Sequence, residues 1–182
     1  FALSEMLQLV LKADGFDGRS FYSARLLAPQ DVSTGAGGPY KTYTPFWRSI
    51  RPRIGALKPL PCPKPCRHSI SSFASDRLDD WRLRPTSPNW ALRFSEHWEP
   101  GEAGASAKLE AFLEDRIGDY ADGRDIPGRE ATSRLSPHLQ FGEISPRQVA
   151  WAVGVHSDSG AAEKFLSEIG WREFAYHLLF HF

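Results

Sequence analysis

Cysteine is almost absent: only Cys62 and Cys66 occur among 182 residues. Two thiols are too few for a disulfide framework and fit a reducing compartment. With His68 they spell C-x3-C-x-H, three donors where a closed zinc site wants four, and no second cysteine pair could complete it. Free thiols in a proline-rich loop are the simpler reading, and no metal is expected. Long apolar runs are lacking too. None approaches the roughly 20 residues that cross a bilayer, and the first 20 residues lack the basic-then-apolar layout of a signal peptide. The expectation is a cytoplasmic protein with no membrane partner. Net charge is also missing, since 22 Lys plus Arg offset 22 Asp plus Glu. With 24% charged and 13% aromatic residues, the composition is far from that of a disordered chain. A globule of this size buries roughly 70% of its unfolded surface, which suits one or two compact units. No internal repeat or low-complexity tract is present. The chain opens on Phe1 rather than Met and stops at Phe182 inside an apolar helical pattern, which reads as a piece of a longer protein.

A local absence is more informative. No Asp or Glu occurs from Val32 to Ser75, while Lys41, Arg48, Arg51, Arg53, Lys58, Lys64 and Arg67 give that stretch a charge of +7. It either faces nucleic acid or lies across acidic neighbours, and the second reading is favoured. Eleven of the fourteen prolines fall between Pro29 and Pro100. Proline removes a backbone donor and clashes inside helices, so the stretch is expected to be an irregular connector without a long helix.

Helical signals flank it. Leu3, Met6, Leu7, Val10 and Leu11 recur at helical spacing before Gly15, and the following SFYSARLLAP reads as a short extended piece. A helix then a strand suits the tail of an α/β domain. Further on, Leu109, Phe112, Leu113 and Ile117 form one stripe closed by Gly118. Ser136-Pro137 and Ser145-Pro146 are helix starts, the second with Gln148 placed for a capping box. These predict helices from Pro137 to Phe141 and from Pro146 to Val153, then a long one from about Ala161 past Phe180.

Two groups of residues carry chemistry. Thr132, Ser133, Arg134, Leu135 and Ser136 place three hydroxyls and a guanidinium at the mouth of a helix, where free N–H groups favour a phosphate; hydroxyls there are also ordinary caps. On the last helix Phe165, Glu168, Trp171 and Arg172, three or four residues apart, predict one face able to meet a flat heterocycle. The alternative is a Glu168 to Arg172 ion pair with Trp171 in the core. Six tryptophans in the chain tilt this toward stacking. A helix-turn-helix reader exposing Arg147, Gln148 and Trp151 competes, but a recognition helix brings more basic residues.

The runs TSRLSPHLQFGEISPRQ and SEIGWREFAYHLLFHF closely resemble the flavin-binding helical domain of the DNA photolyase and cryptochrome family. GGPYKTYTPFW resembles the segment leaving that family's antenna domain, and YADGRDIPGREATSRLS the approach to its flavin site. The resemblance covers about Leu26 to Phe182. It implies a mainly α fold with three parts. Residues 1–30 would end an α/β antenna domain, 31–104 would be the connector, and 105–182 would begin the FAD-binding helical domain. FAD would be the cofactor, a folate- or deazaflavin-type pigment the antenna, damaged DNA the partner, and a monomer the working state.

Residue by residue, the resemblance implies that Tyr120 touches the flavin and Arg124 the DNA. Thr132 through Ser136 would hold the flavin diphosphate, Glu168 and Trp171 a flipped pyrimidine dimer, and Arg172 would lie near the flavin. Phe165 stands where many bacterial members have a flavin-contacting Trp. Reduced FAD would pass an electron under blue light to the dimer, which splits and returns it; base flipping in photolyases is a general example of such access. A cryptochrome-like photoreceptor and a (6-4) photolyase remain alternatives. Trp171 favours repair, since plant cryptochromes tend to carry an aliphatic residue there. The cysteine count argues against an iron-sulfur member.

Overall fold

The structure is a computed structural model that describes residues 2–19, 21–64 and 74–182. Cys66 and His68 lie outside the described residues, so the proposed thiol and imidazole grouping is not addressed; Cys62 is exposed. Among the described residues there is no strand, and no helix is long and apolar enough to cross a membrane.

The organising element is the last helix. In chain order the helices are α1 Ala2–Ala13, α2 Tyr43–Ile54, α3 Glu102–Asp115, α4 Tyr120–Gly123, α5 Ser136–Phe141, α6 Pro146–His156 and α7 Gly160–His181. Ser159 caps α7 by accepting from the Ala162 N–H, and its 22 residues span about 33 Å at 1.5 Å per residue. Phe165, Leu166, Ile169 and Phe174 of α7 are buried. Around them pack α2, α4, α6 and the single turns Ile117–Asp119 and Pro29–Asp31. The expected α3 stripe is buried as one group, although the helix begins at Glu102, three residues before the expected boundary, and ends at Asp115 rather than at Gly118. The Ser145 capping box is present in both its halves, and Gly142 closes α5 at φ +72°.

Three expectations are corrected. First, the proline-rich stretch contains α2, a three-turn helix whose Phe46, Ile50 and Ile54 are buried. Pro45 sits in its first turn, where no N–H is needed, and Pro52 in its last, so neither breaks the middle. Second, SFYSARLLAP has no strand in its described residues. Its carbonyls meet arginine side chains: Arg172 Nη1 donates to Ala24 O at 2.7 Å, and Arg147 Nε to Leu26 O at 2.9 Å. Third, Ser136 is the first residue of α5 rather than its cap, and Leu135 precedes it without a capping side chain. The helix-turn-helix reader, disfavoured from the sequence, also lacks a reading face. Arg147 is committed to Leu26, Gln148 to Ser145, and Trp151 is half-buried beneath Lys58. As for α1, it forms as expected, yet Met6, Leu7 and Val10 are exposed and Leu11 is partly covered.

Candidate functional site

Four of the expected residues meet where α4 crosses α7. Phe165 is 4% exposed, with Phe112 at 4.6 Å and Tyr120 at 5.1 Å between ring centroids, the latter edge-on at 90°. Tyr120 is itself buried, and burial pushes its phenol upward, against the pull of Arg124. One turn later Arg124 lies over the Tyr120 ring at 5.5 Å and reaches Glu168 through an Nη1 to Oε1 contact of 2.5 Å. That hydrogen bond is the main reason the Arg124 guanidinium is held above its ordinary range. Glu168 also has Lys164 at 3.9 Å. The anticipated Glu168 to Arg172 pair is not formed, because Arg172 turns to the carbonyls of Ala24 and Leu139 and to Glu173 at 3.6 Å.

The expected four-residue face of α7 is therefore divided. Phe165 points into the core, Arg172 toward residues 24–27, and Glu168 toward α4. Trp171 remains 48% exposed and lies against α2, where Tyr43 stacks on it at 3.8 Å and 10°. Its position in the core was the other sequence reading, and the exposure rules that out.

The run 132–136 lies alongside α4. Ala131 is packed so closely against Gly123 that a Cβ there would collide with it. Leu135, 1% exposed, anchors the run, while Thr132, Arg134 and Ser136 are exposed and Ser133 is half-exposed. Arg134 adopts φ +52°, a left-handed conformation that costs a side-chain-bearing residue free energy. Its guanidinium pairs with Glu130 at 2.9 Å. The Ser133 hydroxyl accepts from the Leu135 N–H at 3.4 Å. Three hydroxyls, a cation and a helix start thus share one accessible edge.

No protein-family model matches the chain. The deoxyribodipyrimidine photo-lyase of Agrobacterium fabrum is 44% identical over 184 residues, covering 100% of this chain and 38% of that protein. The chain belongs to the DNA photolyase and cryptochrome family. A second relative in the family, a deoxyribodipyrimidine photo-lyase of Thermus thermophilus, is 39% identical across 79% of the chain and 30% of its own length. Among solved structures, a bacterial class III photolyase from Agrobacterium tumefaciens superposes with a TM-score of 0.93 at 43% identity, again covering the whole chain and 38% of the other. The chain thus spans less than two-fifths of these photolyases' lengths, and the helical architecture described above is the photolyase one over that span.

Two features of this region were not read from sequence. The partner of Glu168 is Arg124, 44 residues away, which no local spacing could reveal. Tyr43 lies in the GGPYKTYTPFW run that carried part of the resemblance, but its place under Trp171 depends on α2 folding, which the proline count argued against.

Proposed function

We propose that this chain supplies part of the flavin and lesion site of a photolyase that splits cyclobutane pyrimidine dimers in DNA under blue light, using reduced FAD. The observation that carries the reading is Trp171, a half-exposed indole beside an arginine-held carboxylate on a buried helix of a photolyase fold.

The residues fit FAD at its diphosphate. Thr132, Ser133 and Ser136 offer hydroxyls, Arg134 is exposed, and Leu135 fixes the backbone from below. Anion binding at such an edge exchanges Glu130 for phosphate on Arg134, a charge-assisted contact in both cases. Tyr120 is the aromatic group of this site, and Phe165 props it from behind. Arg172 ties the Ala24 carbonyl to α7 and is in this reading a supporting residue. When bound, reduced FAD supplies the photoexcited electron. A folate- or deazaflavin-type antenna pigment would feed it light.

Toward DNA, Trp171 offers a face on which a flipped base stacks, and Glu168 offers carboxylate acceptors to its polar edge. Arg124 holds Glu168 in place until a backbone phosphate competes for the guanidinium. The substrate is accordingly damaged DNA bound by a single copy of the protein.

The test is dimer loss under blue light by the full-length protein with reduced flavin. Trp171→Ala is expected to weaken binding to dimer-containing DNA by about 1 to 3 kcal/mol, the scale of one base–aromatic stack, with little change on undamaged DNA, where phosphate contacts dominate. Glu168→Gln keeps the shape and is expected to lower the yield of splitting more than the binding. A wild type that binds FAD but neither prefers nor repairs dimer-containing DNA would replace this reading with a cryptochrome-like photoreceptor. Repair of (6-4) lesions in place of cyclobutane dimers would reassign the lesion.

A further inference from the structure

Trp171 does not stand alone. Tyr43, 128 residues earlier in the chain, lies flat against it with 3.8 Å between ring centroids and 10° between planes. Trp47 is also nearly parallel to Tyr43, at 6.2 Å and 13°. Tyr43 is itself fixed from α7, since its phenol donates to the Ser167 carbonyl at 2.7 Å and meets the Ser167 hydroxyl at 2.9 Å. Burial pushes the phenol upward, so it remains a donor near neutral pH. Gly170 makes the arrangement possible, because a Cβ there would collide with the Trp47 ring.

A half-exposed tryptophan on a helix has several rotamers open to it, and most present an edge or point the ring along the surface. Here one face of the indole is covered by a ring that cannot turn, because Trp47 and Ser167 both hold it. The indole is then parallel to Tyr43, and its accessible surface is the opposite face and the outer edge. Phe174 meets the ring edge-on at 6.0 Å and 73°, which closes one side.

We propose that Tyr43 is a positioning residue for lesion recognition: it sets the plane of Trp171 and presents the indole as a one-sided stacking platform for a flipped base. The proposal rests on the reading of Trp171 given above. Preorganisation of this kind lowers the ordering cost of binding. It acts only on the ligand that stacks, so it contributes to preference for the lesion and not to general DNA affinity.

The experiment uses the full-length flavin-loaded protein and two oligonucleotides of one sequence, with and without a cyclobutane thymine dimer. Affinities for both, flavin content and unfolding temperature are measured for wild type, Tyr43→Leu, Tyr43→Phe and Trp171→Ala. Tyr43→Leu is expected to lose about threefold to tenfold of the preference for the dimer, part of what a base–aromatic stack contributes, with flavin content and undamaged-DNA affinity unchanged. Tyr43→Phe keeps the ring and is expected to keep the preference. If Tyr43→Leu does not fold, Tyr43→Met fills the same space without a flat ring and takes its place. Loss of preference in Trp171→Ala together with full preference in the Leu or Met variant overturns the role of Tyr43 alone. Full preference in Trp171→Ala overturns the platform reading, and the role of Tyr43 with it. An equal fall on both oligonucleotides also overturns the proposal, because it marks a general structural defect.

Discussion

At the scale of single residues, the site is built from side chains whose partners lie far away in sequence. Arg134 illustrates the cost. It holds a left-handed backbone at φ +52° and pairs with Glu130 on an exposed edge. Neither feature stabilises the fold enough to explain a non-glycine residue there, since an exposed pair is worth about 0.2 to 1 kcal/mol. A ligand charge explains it better. In the full-length protein Arg134→Ala is expected to weaken flavin binding by about 1.5 to 3 kcal/mol, the range for a hydrogen bond to a charged group. Equilibrium dialysis of flavin against the apoprotein measures it, and unchanged affinity would remove Arg134 from the site. That these hydroxyls and the guanidinium share one edge was legible because the residues are contiguous. The Arg124 to Glu168 pair was not, because it closes only when α4 packs on α7.

At the scale of elements, what could be read depended on how local the cause is. The start of α6 is written in four consecutive residues: Ser145 accepts from the Gln148 N–H, and the Gln148 side chain returns to the Ser145 N–H at 2.9 Å. Ser145→Ala removes the hydroxyl half and leaves the backbone N–H bonded to Gln148; it is expected to cost about 1 kcal/mol, visible as a lower denaturant midpoint with an unchanged slope. Ser136 shows the same dipeptide without the same outcome, because Leu135 already has a helical backbone and the turn begins one residue early. The second helix was hidden by its prolines. A proline count treats every position alike, whereas Pro45 and Pro52 occupy the two end turns of α2 and Phe46, Ile50 and Ile54 supply its buried stripe. The expected strand in 20–29 failed for the opposite reason. An extended segment needs a ladder partner, and here arginines from α6 and α7 take the carbonyls.

At the scale of the whole molecule, α7 holds residues 24–31 against the later helices, and its buried titratable groups set the pH response. Glu173 is 5% exposed, and burial raises its carboxyl to about 7 from an ordinary 4.5, opposed by hydrogen bonds from the Leu26 and Leu27 backbone and by nearby Arg172. Between those two values the folded protein keeps a proton that the unfolded chain releases. This contribution to stability is therefore complete below about pH 4.5 and is lost as pH rises through about 7, by about 3 kcal/mol in total. His177 works in the opposite direction. Burial lowers its imidazole, so its contribution is present above its unfolded value and lost as pH falls. Comparing wild type with Glu173→Gln separates the two. The variant is expected to lose less stability than wild type between pH 5 and pH 8 in chemical unfolding, and parallel curves would show that Glu173 ionises freely. The basic stretch belongs to the same body. Arg51 pairs with Glu163 of α7 at 2.6 Å, and Arg53 donates to Asp31 O, so these two cations lie against the fold as the second sequence reading expected.

The exposed residues 74–84, between α2 and α3, have a practical meaning for anyone handling the protein. Arg77 and Arg82 sit there on open surface, ready for trypsin, while the helices on either side are seated on α7 and its neighbours. A single cut would yield two bands on a denaturing gel and one particle on a native one, since Tyr43, Phe46 and Arg51 keep their grip across the nick. Two particles on the native gel would mean that covalent continuity, and not packing, keeps α2 in place. The nicked form would also keep the stacked pair of Tyr43 and Trp171 intact, so under the proposed function a clipped full-length protein is expected to keep its preference for damaged DNA.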